Sequence, residues 1–406
     1  MNRPEPLLIR GANVITLLAQ AGVIGSVDLR IADGVISEIG VDLSPHGAAV
    51  VEAKGKFVLP GLIDTHVHLR TQSQLPLMLA YGVTTVRNMS GTPEVLRWKE
   101  QVANGDIVGP DIYSTGPITD GIMFWPGLRI VRTPEEAEQV VLDDVSKGYD
   151  FIKTYPDIPR EALISLMETA SRCNVRVVGH GSNVMSVAEM IDLGYYSLEH
   201  VSRLPPNSDD DVVTLAKSAM WYVPTLVALR NVVGYIKGGL TVADFAYTDL
   251  VEASTMKSWP GVVEAYRKDE RFRTFDLERF AHLTSLYRQH SDRVALGTDV
   301  GVPGLLSGLA THEELELLVS MAGLTPLDAL LAGTARAAKL LGVEGDLGTV
   351  EVGKQANLLI LDANPLDLIT NVRRLGGVIK SGRLYGESQL AGLVDECRSA
   401  VSSDRS

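Results

Sequence analysis

The chain has 406 residues, 45% apolar and 21% charged, with a formal net charge of −13 and a mean hydropathy of +0.11. This is the balance of a globular chain long enough for a large core plus a smaller unit. The acidity argues against nucleic acid and anionic membrane surfaces as partners, and no apolar run reaches the roughly 18 residues of a spanning helix. Two cysteines, Cys173 and Cys397, cannot build a disulfide framework. The opening Met-Asn-Arg-Pro-Glu-Pro carries no basic-then-apolar leader, so a reducing, cytoplasmic setting is expected. Metal binding must then use His, Asp and Lys.

Residues 1–55 read as short β runs over 7–15, 26–31 and 35–39, with Ala32-Asp33-Gly34 as a hairpin signal. From residue 56 to 345 apolar runs alternate with amphipathic stretches. Strands are expected at 62–69, 84–88, 111–115, 151–155, 176–180, 197–200, 221–225 and 294–299. Helices are expected at 133–147, opened by Thr133-Pro134-Glu135-Glu136, and at 159–174, 182–193, 209–220, 276–290 and 312–322. Eight strands alternating with helices predict an α/β fold, a (β/α)8 TIM barrel. A doubly wound open sheet is the rival; the eight repeats and the lack of Gly-x-Gly-x-x-Gly after the first strand count against it. The long gap before the last strand marks 230–275 as an insertion, read as a lid over the barrel mouth or as an oligomer contact. A helix follows at 325–341, then β runs at 347–352, 357–362, 372–380 and 383–385. Segment 346–390 matches 1–55 in texture, so the two chain ends are expected to form one small composite β-sandwich; residues 391–406 read as a frayed tail.

The polar residues fall where such a fold does chemistry, at strand C-terminal ends. In Leu62-Ile63-Asp64-Thr65-His66-Val67-His68-Leu69, alternation puts Asp64, His66 and His68 on one face. Lys153 lies in the fourth strand, His180 and His200 end the fifth and sixth, and Asp299 ends the eighth. Four of the eight histidines therefore stand at strand ends. Imidazole and carboxylate ligate zinc and similar divalent ions. A lysine ammonium does not, but its amine can take up carbon dioxide as a carbamate that bridges two ions about 3.5 Å apart. The competing use of Lys153 is to grip a substrate carboxylate.

This pattern resembles the amidohydrolase superfamily, and within it the imidazolonepropionase-related and prolidase-like (Xaa-Pro, Xaa-Arg/Lys dipeptidase) metal-dependent hydrolases. The stretches that carry the resemblance are His66-Val67-His68, Gly82-Val83-Thr84-Thr85-Val86-Arg87-Asn88, Tyr149–Lys153, His180, Leu198-Glu199-His200, Gly297-Thr298-Asp299 and Thr349–Leu358. Asn88 and Asn357 stand where the subgroup commonly has Asp, and Gly179-His180-Gly181-Ser182 is less alanine-rich than usual. The resemblance implies two divalent ions, zinc foremost. His66, His68 and Asp299 would hold one, His180 and His200 the other, with Lys153 as N6-carboxylysine and a hydroxide between them. Two dications against hydroxide, Asp299 and carbamate leave about one positive charge, which favours a small-molecule substrate carrying a carboxylate.

The reaction expected is hydrolysis of an amide bond in a dipeptide or N-acyl amino acid, with Asp299 passing the proton from water to the leaving amine. Tyr155, two residues after Lys153 and on the same side, is the candidate for stabilising the oxyanion, against a packing role at the rim. Arg203 could hold a substrate carboxylate or lie on the surface, and Tyr222 and His312 are further pocket candidates. Asp64 is read as a group supporting the ligands. The rival functions are a cyclic amide or lactone hydrolase, a mononuclear imidazolonepropionase-like or deaminase-like enzyme, and a non-catalytic scaffold. Lys153 counts against the mononuclear enzyme, and the full ligand set counts against the scaffold.

Overall fold

The structure, a computed structural model, describes residues 4–18, 22–123, 127–200, 202 and 208–404. The chain opens with β1 (Leu7–Ile15), β2 (Val23–Ala32), β3 (Val35–Gly40), β4 (Ala49–Glu52) and β5 (Phe57–Pro60). The expected turn joins β2 to β3: Ala32 pairs with Val35, and Asp33 and Gly34 take φ of 51° and 82°. Positive φ at both central positions is the type I′ geometry that matches strand twist.

At Gly61 the chain changes sheets. A Cβ there would sit 2.2 Å from Thr84 Oγ1, so only glycine permits the close crossing. The strand expected at 62–69 is β6 (Leu62–Val67), and β5 runs into it from the other sheet. Alternating elements follow: α1 (Gln74–Ala80), β7 (Val83–Asn88), α2 (Pro93–Asn104), β8 (Asp111–Ser114), the short β9 (Thr119–Asp120) and β10 (Arg129–Ile130), then α3 (Pro134–Ser146), β11 (Phe151–Thr154) and α4 (Arg160–Arg172). They continue with β12 (Arg176–Gly179), α5 (Val187–Asp192), β13 (Ser197–Glu199), α6 (Asp209–Ala216), β14 (Trp221–Val223), α7 (Leu226–Ile236), α8 (Ala253–Lys268), α9 (Leu277–His290), α10 (Leu309–Ser320), α11 (Pro326–Ala332) and α12 (Ala335–Leu341). Thr133 opens α3 through a capping box with Glu136, with Pro134 in the first turn. Ser186 and Glu189 do the same for α5, which is why that helix starts later than its sequence pattern suggests. The helix expected over 325–341 is two helices. Between them the Gly333 carbonyl accepts from Ile63 N at 2.8 Å, which ties the helix layer to β6.

The parallel strands form a three-stranded sheet, β6-β7-β8, and a six-stranded sheet, β10-β9-β11-β12-β13-β14. Single bridges link them: Thr115 with Phe151, Tyr222 with Val294 and Val67 with Val300. The strand expected at 294–299 has no assigned ladder, although Ala295 N donates to Tyr222 O at 3.0 Å and Thr65 N to Leu296 O at 2.9 Å. Asp299, with φ of 56°, turns the chain out of the extended conformation. Gly297 lets this segment lie against β6, since a Cβ there would meet His66 Cβ at 2.7 Å.

The chain ends in β15 (Leu358–Leu361), β16 (Leu375–Lys380), β17 (Arg383–Gly386) and α13 (Glu387–Asp404). Both chain ends share one mixed eight-stranded sheet, ordered β17-β16-β15-β5-β1-β2-β3 with β4 also on β1. Ile9, Leu29, Val58, Leu358 and Ile379 are among its buried residues. Residues 347–352 are not a strand; there Val350 N bonds the Thr16 carbonyl. The expected frayed tail is mostly the helix α13, which buries Leu390, Leu393, Cys397 and Val401. No helix of the described residues is long and apolar enough to cross a membrane.

Candidate metal centre

Four strand ends bring the predicted side chains together. His66, on β6, is fully buried. Its Nε2 lies 3.4 Å from Asp299 Oδ1, and His68 Nε2 lies 3.0 Å from the same oxygen. His200 follows β13, with Nε2 3.9 Å from Asp299 Oδ2. His180 follows β12, its ring centroid 4.8 Å from that of His200. Ligand atoms of His66, His200 and Asp299 all lie within 4.8 Å of one another.

The surroundings decide which ring atoms face inward. Glu199 Oε2 takes the Nδ1 hydrogen of His66 at 2.7 Å, while Glu199 Oε1 pairs with Arg87 Nη2 at 2.7 Å and accepts from Ser197 Oγ. Burial opposes charge on Glu199, but Arg87 and the His66 bond outweigh it and hold the carboxyl well below the usual carboxylate range. Burial, with the Lys153 ammonium adding to it, pushes His66 down to about 4, so the ring is neutral at pH 7. With Nδ1 donating, His66 Nε2 carries a lone pair. That atom is buried and has no hydrogen-bond partner. It faces Asp299, which burial would neutralise but which His200, His68 and His66 keep ionised. A lone pair turned onto a carboxylate oxygen is repulsive until a cation lies between them, so these residues fit a divalent ion. His200 is oriented by Thr225 Oγ1, 2.7 Å from its Nδ1, and burial pushes its ring well down too.

Backbone strain collects here. His200, Thr225 and Asp299 have φ of 66°, 52° and 56°, three of the ten non-glycine residues with positive φ among those described. Such residues cost on the order of 1–3 kcal/mol each and persist only where the surroundings hold them. Thr225 is the least tolerant of the three, being β-branched.

Lys153, on β11, is fully buried and acts electrostatically on His66, His200 and Glu199. Its Nζ lies 5.9 Å from the centroid of the Tyr155 ring, and that ring stacks on His180 at 3.9 Å. A cavity of about 580 Å³ opens over the cluster, lined by His68, Tyr155, His180, His200 and Asp299. Arg70 lines it as well. It continues the period-two series Asp64, His66, His68, and that continuation was the signal available in the sequence.

Other candidates sit elsewhere. Tyr222 is fully buried, stacked on Tyr287 at 4.8 Å, with its hydroxyl 3.2 Å from Thr284 Oγ1. It therefore packs against α9 and not in the pocket. His312 is also a structural residue: its Nε2 bonds the Tyr81 carbonyl at 2.7 Å, joining α10 to the end of α1. Both were misplaced because a polar residue on a short strand or first helical turn leaves its facing undecided. Arg203 lies outside the described residues. Asp64 accepts from Thr298 Oγ1 at 2.7 Å and Thr311 Oγ1 at 3.1 Å, bracing β6 against the segment that carries Asp299. The sequence reading missed Glu199 and Arg87 as working groups.

The amidohydrolase family profile matches residues 57–385. The chain belongs to the amidohydrolase family. Among relatives of this amidohydrolase, the ochratoxinase of Aspergillus niger is 25% identical over 354 residues, 76% of this chain and 66% of that protein. The chain thus spans just under two thirds of that relative. A dihydroorotase of Citrifermentans bemidjiense is 27% identical over 403 residues, covering 88% of this chain and 89% of its own. The crystal structure of a Bifidobacterium longum protein provisionally assigned as a prolidase superposes with a TM-score of 0.78 at 25% identity, covering 97% of this chain and 99% of that one.

Proposed function

We propose that the protein is a binuclear metal-dependent hydrolase that cleaves the amide bond of a dipeptide or N-acyl amino acid. The observation that carries this reading is the inward-facing lone pair of His66, set against ionised Asp299 on the floor of a cavity that also presents Arg70. His66, His68 and Asp299 would hold one ion and His180 and His200 a second, with Lys153 as a carbamate between them. Divalent ions bound there supply Lewis acidity toward water and the scissile carbonyl. Asp299, ionised, takes the proton of the attacking water and delivers it to the departing amine nitrogen. Tyr155, fixed by stacking on His180, donates toward the developing oxyanion. Arg70 pairs with the substrate carboxylate and sets which way round the amide lies. We further infer that the two parallel sheets are parts of one closed (β/α)8 barrel, with the terminal sheet as a separate small domain, since hydrogen bonds reach from residues 294–300 to strands of both sheets.

The test is release of free amine from dipeptides and N-acyl amino acids by protein loaded with zinc and bicarbonate, with the metal content measured in parallel. Turnover with about two ions per chain is expected, and Asp299→Asn should lower kcat by about a thousandfold or more. A stable content near one ion per chain overturns the binuclear reading. Undiminished turnover in Asp299→Asn removes its proton-transfer role.

A further inference from the structure

The insertion at 230–275 supplies part of the cavity wall. Tyr266, on α8, and Phe272 and Phe275 after it line the same cavity as His180, His200 and Asp299. Their rings form a chain of edge-to-face contacts. Tyr266 and Phe272 are 5.1 Å apart between centroids, Phe272 and Phe275 5.0 Å, and Phe275 and Phe280 5.2 Å. Phe280 is buried in α9. The wall is thereby tied to a core helix through rings in the edge-to-face geometry that aromatic pairs prefer. Burial raises the Tyr266 phenol, and the charges of Asp299 and Tyr155 add to it. Trp98 and Leu229 add apolar surface to the same cavity.

The space exceeds what a small amide fills. A dry cavity of about 150 Å³ accommodates benzene; this one measures about 580 Å³. Water against the ring faces of Tyr266, Phe272 and Phe275 finds few hydrogen-bond partners there, and an apolar group that replaces it gains their full contact.

Building on the proposed amide hydrolysis, we propose that the substrate joins its carboxylate-bearing part to a bulky apolar group, best an aromatic ring, seated against Tyr266, Phe272 and Phe275. The insertion is then the element that selects substrates. A pair of measurements tests this. The first compares kcat/KM for N-acetylglycine with that for amides bearing an aromatic ring on the acyl or the amine side. The second titrates 2-naphthoate and acetate into the zinc-loaded protein by calorimetry. An aromatic advantage of at least about tenfold, carried mainly by KM, is expected, together with at least tenfold tighter binding of naphthoate. Phe275→Ala should reduce both ratios at least fivefold; if its melting curve shows loss of folding, Phe275→Leu is read for the same ratios. Equal or better turnover of N-acetylglycine, or equal binding of the two acids, overturns the proposal. Failure to cleave any amide while the naphthoate preference and its Phe275 dependence persist overturns the amide reaction and leaves the aromatic subsite standing.

Discussion

Two pairs of carboxylates surround the strand ends, Glu199, Asp64 and Glu314 buried and Asp299 half-buried at the cavity, and burial works against the charge of all four. Glu199 and Asp299 face Arg87 and imidazoles, and both are held well below the usual carboxylate range. Asp64 and Glu314 take their hydrogen bonds from neutral donors, and the charge of Arg230 is the smallest of the influences on Glu314. Glu314 accepts from Leu226 N at 3.0 Å and Val227 N at 2.6 Å, at the start of α7. Asp64 has its two threonine hydroxyls. Burial pushes Asp64 up to about 6 and Glu314 up to about 8, despite these hydrogen bonds. Hydroxyls and amides do not offset burial here; the Arg87 guanidinium does so for Glu199, and the three imidazoles do so for Asp299. The first pair can therefore serve a metal as anions, while the second behaves as hydrogen-bonded bracing.

Removing the charge of Glu199 breaks the first pair most severely. Glu199→Gln strands the Arg87 guanidinium in the core, at a cost of about 3–5 kcal/mol. It also releases the His66 tautomer, with zinc affinity falling about 10–100-fold. Urea unfolding and competition with a chelator measure the two effects, and unchanged affinity would mean that His66 is oriented by something else. Glu314→Gln sharpens the other side of the comparison. Because the folded pKa of Glu314 is raised, the folded state binds a proton that the unfolded state has released between about pH 4.5 and 8. Stability therefore falls as pH rises through that window, by on the order of 3–5 kcal/mol. Asp64 adds a loss of the same sign between about pH 3.8 and 6. Glu314→Gln should flatten the curve above pH 6 in denaturation measured at successive pH values; a slope equal to the wild type's refutes the contrast. The smallest effect is expected from Tyr222→Phe, about 1 kcal/mol for its bond to Thr284. Its kcat/KM should stay at the wild-type value, and a selective loss of turnover would return Tyr222 to the pocket.

These contrasts also show what was legible in the residues alone. His66, His68, Lys153, His180, His200 and Asp299 stand out because each interrupts or ends an apolar run, so strand parity and position suffice to place them together. Arg87 and Glu199 interrupt apolar runs too, yet their meaning comes from pairing across 112 residues between β7 and β13, which no local pattern carries. Thr133-Pro134-Glu135-Glu136 and Asp33-Gly34 were readable because caps and tight turns are local chemistry. The parity of a three-residue strand such as β14 is fragile, and that sent Tyr222 to the wrong side. The helix α13 was legible in the spacing of Leu390, Leu393, Cys397 and Val401, but the polar final residues masked it.

The position of β5 bears on how the molecule is made. It pairs with β1 on one side and β15 on the other, and its partners in β15 lie about 300 residues further along. At about 5–20 residues per second, roughly 15–60 s of synthesis separate the two strands. Throughout that interval Phe57, Val58 and Leu59 present an apolar open edge, the kind of strand that recruits another chain. A nascent chain stalled before β15 would carry a sticky, unfinished sheet, and strands made well before the barrel are among the last to complete their pairing.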